Sequence, residues 1–122
     1  MDELLQIAAK RPLTLEDLGL NATSPADLVR NKCDAVAAAL VKAYMAEAID
    51  WTRADAIANH FFTLMIQHCG ERVPDYAWDV YLAFDESEIE GRGNPYARGL
   101  IAQVISKYAG NGDILNIAVR PM

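Results

Sequence analysis

A single all-α domain is what this sequence predicts: a helical bundle of four main helices, short helices ahead of them and an extended C-terminal tail behind. Three observations carry that expectation. Twenty of the 122 residues are alanine, the strongest intrinsic helix former. Long apolar stretches of helical period are preceded by capping or proline start signals, and glycines close several of them. The one loosely alternating stretch, residues 114–121, finds no partner strand within the chain, and a lone strand is not stable. With 52% apolar and 23% charged residues, the composition is that of a globular chain, and its length suffices for a core without disulfides or metal.

The elements follow in order. Residues 2–10 read as a short helix carrying Leu4, Leu5 and Ile7, stopped by Pro12. Thr14 with an acid three residues on, Asp17, opens one or two helical turns that Gly19 closes, the pattern of a capping box. These pieces are expected to lie over the core as a lid. Ser24-Pro25-Ala26-Asp27 then supplies a cap, a proline at the first position and an acid in the first turn. The helix it starts should run to about Ala48, burying Val29, Cys33, Val36, Ala37, Leu40, Ala43 and Tyr44. Arg30, Asp34, Lys42 and Met45 fall away from that stripe.

Thr52-Arg53-Ala54-Asp55 repeats the capping pattern, and Gly70 follows the next helix. Its apolar arc takes in Ile57, Ala58, Phe61, Phe62, Leu64, Met65, Ile66 and Cys69. An arc covering about half the circumference marks a helix touched by several neighbours, so residues 52–69 are expected at the centre. A further helix over residues 73–89, with Pro74 in its first turn, turns Ala77, Val80, Tyr81 and Phe84 inward. Residues 86–94 (ESEIEGRGN) read as a mobile polar loop. Asn94-Pro95 starts the last helix, which faces the core with Ala97, Leu100, Ile101, Val104, Ile105 and Tyr108, and Gly110-Asn111-Gly112 ends it.

Charge is concentrated in one place. Residues 71–90 hold seven acids and one base, Arg72, while the rest of the chain balances ten acids with ten bases. That segment alone accounts for the net charge of −6. An acidic chain without a clustered basic stripe is unsuited to nucleic acid or to an anionic membrane surface. The stretch 56–70 is too short to span a bilayer and contains Asn59, His60, Gln67 and His68. The N-terminus lacks the basic start and apolar run of a signal peptide, so the expected location is cytoplasmic. There Cys33 and Cys69 would stay reduced, as small buried hydrophobes.

Phosphate-loop, dinucleotide-binding and serine-hydrolase signatures are missing from the chain, and its acids do not follow the calcium-loop spacing. His60 and His68 sit about 12 Å apart along one helix and roughly 80° apart around it, which is not a chelating pair. His68 falls within the apolar arc and is expected as a hydrogen-bonded core histidine, with His60 at the surface edge. No cofactor is implied.

What remains is the acidic helix. On a helical wheel Glu86 falls about 20° from Asp75 and Asp79 about 40°, with Leu82, Trp78 and Asp85 roughly 20°, 60° and 80° to the other side. Trp78 and Leu82 thus stand among carboxylates, opposite the inward face. If no second helix covers them, Asp75, Trp78, Asp79, Leu82, Asp85, Glu86 and Glu88 form a partner-binding patch, an aromatic anchor ringed by acids that steer a basic protein. Two rival readings use the same residues. In one, Asp75, Asp79 and Glu86 serve a small metal-assisted hydrolase; in the other, the Trp78–Leu82 patch is the interface of a homodimer or larger structural oligomer.

The segment WDVYLAFDESE (residues 78–88), followed by Tyr96-Ala97-Arg98-Gly99-Leu100-Ile101, resembles the small, acidic, mostly helical immunity proteins of bacterial toxin systems. That resemblance implies neutralisation of a basic toxin domain through an acidic surface, with no catalysis. It assigns no individual residue a role.

Overall fold

The structure, a computed structural model, describes residues 2–69 and 72–109. Its described residues form five α-helices, α1 (Asp2–Ala8), α2 (Ala26–Met45), α3 (Trp51–Cys69), α4 (Asp75–Ser87) and α5 (Gly93–Tyr108), with 3-10 turns at Glu16–Leu18 and Ile89–Gly91. The all-α bundle is as expected. The tail 114–121, the stop at Gly110-Asn111-Gly112 and the close expected at Gly70 lie outside the described residues.

The N-terminal pieces do pack on the core. α1 lies against α2 and α3, and Leu5, Ala8, Leu13, Leu18 and Leu20 are buried. Between them the capping box is reciprocal: Asp17 N–H donates to Thr14 Oγ1 at 3.2 Å, and Thr14 N–H to Asp17 Oδ2 at 2.8 Å. Arg11 grips the same carboxylate at 2.8 and 3.1 Å. That guanidinium and the Thr14 amide hold the Asp17 carboxyl far below its ordinary range.

α2 departs from its expected limits at both ends. Ser24 does not cap it; its Oγ instead accepts Asn21 N–H at 3.0 Å, closing a turn ahead of the helix. At the other end α2 stops at Met45 rather than near Ala48. Glu47 adopts the left-handed conformation, φ 61°; its N–H donates to Tyr44 O, and Ala48 N–H reaches back to Ala43 O. This is a Schellman close with glutamate at the position usually held by glycine. Arg98 of α5 adds a cap from outside, donating to Tyr44 O and Met45 O at 3.4 and 3.3 Å.

α3 starts one residue before Thr52, and the capping side chain is Asp50, whose Oδ1 accepts Arg53 N–H at 2.8 Å. Ile57, Phe61, Leu64 and Met65 are all sealed from solvent, and α3 packs on α1, α2, α4 and α5. Its position at the centre is therefore confirmed, although α4 shares it by packing on α2, α3 and α5. Two residues of the expected arc depart from it. Ile66 is 50% exposed, and His68 is exposed rather than a core histidine. The half-buried histidine is His60, whose Nδ1 lies 2.6 Å from Ala8 O and ties α1 to α3.

The expected loop over residues 86–94 is instead almost wholly helical. α4 continues to Ser87, a 3-10 turn covers Ile89–Gly91, and α5 begins at Gly93. Ser87, the last residue of α4, points inward. It is fully buried, donates to Phe84 O at 2.6 Å and accepts the Trp51 indole N–H at 2.8 Å, so its hydroxyl is satisfied on both sides.

Candidate functional site

α4 is positioned by its buried face. Tyr76, Ala77, Val80, Ala83, Phe84 and Ser87 point into the bundle, with the Phe84 ring edge-on to Tyr44 of α2 at 5.1 Å. Its first turn is held by a neighbour. Asp34, expected on the solvent side of α2, sits half-buried between α2 and α4, where its Oδ1 accepts Ala77 N–H at 3.1 Å. A carboxylate from another helix thus caps α4, while burial pushes Asp34 up to about 6.

With that face inward, the predicted patch residues turn outward, and the structure divides them between two flanks. Asp79, Leu82 and Glu86 border a shallow groove of about 300 Å³ against Leu100, Gln103, Val104 and Lys107 of α5. Asp79 is not free there. Its Oδ2 accepts Lys107 Nζ at 2.8 Å and Tyr108 OH at 2.7 Å, so this acid fastens α4 to α5. Among the described residues no group of three or more histidines, cysteines or acids is placed to hold a metal ion. Asp75 and Glu86 are exposed.

The other flank faces α3. Trp78 is half-buried, neither free as the wheel suggested nor covered. Its ring lies 5.7 Å from Phe62 and 5.5 Å from Tyr81, and those two stack at 4.4 Å with planes 15° apart. All three rings keep part of their surface in water. Phe62 and Tyr81, read from sequence as inward residues, are therefore two of the three rings of this surface. Carboxylates stand beside the rings. Tyr81 OH is 3.4 Å from Asp85 Oδ1, and exposed Glu88 accepts Asn59 Nδ2 at 3.3 Å.

Asp55, which sequence reading treated only as part of a capping pattern, completes this flank. Its Oδ1 is buried, and no N–H or O–H donor among the described residues reaches it. Burial, and then the neighbouring carboxylates of Glu88 and Asp85, push it up to about 7. No sequence signal separates Asp55 from an ordinary first-turn acid; what distinguishes it is the approach of the α4 C-terminus across space.

Chemically, this flank sets aromatic rings beside carboxylates. Aromatic faces attract cations electrostatically, and the Asp85 carboxylate stands at the Tyr81 hydroxyl. Among the described residues no helix is long and apolar enough to cross a membrane. Comparison of the chain with protein-family models, curated proteins and solved structures finds no match.

Proposed function

We propose that the chain is a non-enzymatic binding protein whose α4 surface docks a basic protein partner, as a toxin-immunity protein docks a toxin domain. The observation that carries the reading is the half-open aromatic cluster of Phe62, Trp78 and Tyr81 bordered by Asp85, Glu88 and Asp55. A lysine or arginine of the partner lies on the rings and is neutralised by the acids, while Asp75 and Glu86 draw the partner in. Aromatic anchors surrounded by polar groups are where binding energy concentrates. The setting that goes with this reading is the cytoplasm, in which Cys33 and Cys69 are thiols.

Calorimetry with an arginine-rich peptide as probe tests it. Trp78→Ala should weaken binding by roughly tenfold or more, since losing a central aromatic anchor costs about 1–3 kcal/mol. Asp85→Asn with Glu88→Gln should weaken it comparably, whereas Glu16→Gln, exposed near the N-terminus, should not. Equal loss from Glu16→Gln and from the α4 variants would reduce the interaction to net charge and sink the proposal.

A further inference from the structure

The two cysteines, 36 positions apart in sequence, meet in space. Cys33 is fully buried in α2, and Cys69 is half-buried as the last residue of α3. Their Sγ atoms lie 3.9 Å apart, at van der Waals contact across the α2–α3 interface. We propose that Cys33 and Cys69 form a reversible intramolecular disulfide that staples α2 to α3 when the chain meets a low-molecular-weight disulfide such as oxidised glutathione.

Geometry supports the bond in two ways. The sulfurs must close from contact to about 2.05 Å, a movement that side-chain rotation and a small shift of a helix end can supply. Cys69 occupies such an end, where displacement breaks few backbone bonds. The two thiols also have unequal access, which fixes the order of events. Cys69 is reachable from solvent; burial raises its thiol, and the contact with Cys33 and then the charge of Arg30 offset only part of that rise. Burial pushes the Cys33 thiol up much further and hides it from any external oxidant.

Cys69 is therefore the point of entry. Its thiolate attacks one sulfur of oxidised glutathione, forming a Cys69–glutathione disulfide and releasing one glutathione thiolate. The shift of the α3 end that brings the sulfurs together also admits water to Cys33, which loses its proton to it and attacks the Cys69 sulfur, so the internal bond forms as the second glutathione leaves. Two protein thiols are oxidised, one glutathione disulfide is reduced to two thiols, and a dithiol reductant reverses both steps. The ring so closed runs through the rest of α2, the Glu47 turn and nearly all of α3, so the denatured chain loses much freedom.

The experiment equilibrates the folded full-length chain in glutathione buffers poised from reducing to strongly oxidising values and reads intact mass and non-reduced peptide maps. The expected product is monomeric, lighter by two hydrogens, with the Cys33 and Cys69 peptides linked. Its helical circular dichroism should be unchanged and its Tm raised by roughly 5–15 °C. Cys33→Ala should instead accumulate a glutathione adduct on Cys69 that does not resolve. The proposal is overturned if the wild-type chain stays fully reduced, holds a stable glutathione adduct, forms covalent dimers, or gains the internal bond only after unfolding.

Discussion

Asp55 shows how one side chain can carry a pH signature. Its carboxyl is pushed up to about 7 by burial and by Glu88 and Asp85, so the folded chain holds a proton that the unfolded chain releases near 4. Stability from this group is therefore fully present below about pH 4 and is lost as pH rises through 7. Asp34, raised to about 6 by burial, works in the same direction over a narrower window. Asp55→Asn should flatten the fall in stability between about pH 4 and 7 and leave the variant more stable than the parent at pH 8. Because the site is half open to water, a gain of about 1–2 kcal/mol is expected rather than the full value of the shift. Denaturant melts at pH 4, 6 and 8 measure it; an unchanged slope in the variant would mean that Asp55 titrates normally.

Helix ends were the least legible feature of the sequence, and each miss has a physical cause. Long-period patterning located α2, α3, α4 and α5 because their buried stripes follow 3.6 residues per turn. Caps depend on which oxygen reaches which amide, and that was decided by chain geometry. Ser24 closes the turn before α2, Asp50 rather than Thr52 caps α3, and Asp34 caps α4 from another helix. The same holds for the candidate site. Trp78, Asp85 and Glu88 were visible on one face of α4, but their neighbours Phe62 and Asp55 come from α3, and no spacing within α4 foretells them. Nor does local sequence announce the close of α2, since glutamate stands where glycine is usual. Glu47→Gly should relieve the left-handed strain and raise stability by about 0.5–1 kcal/mol. A destabilised variant in chemical melts would show instead that Glu47 makes a contact worth more than the strain.

The bundle as assembled sends its apolar residues to the α3–α4 centre and its surplus charge to one side. Exposed Asp75 and Glu86 and half-buried Asp85 lie on α4 and exposed Glu88 just past its end, while Asp79 is tied to Lys107. This lopsidedness makes the surface discriminate between kinds of company. Two copies approaching through α4 bring like charges together, whereas a cationic protein is attracted from several ångströms away. Added salt therefore acts with opposite sign on the two encounters. Raising ionic strength from about 0.05 to 0.5 M shortens the screening distance severalfold and should weaken capture of an arginine-rich peptide, while pairing of identical chains through Trp78 and Leu82 should grow stronger. Sedimentation and calorimetry over one salt series would separate the two, and a dimer that dissolves as salt is added could not be held together by this face. On the proposed function, the placement of carboxylates on α4 would give the molecule a preference for strangers over its own kind.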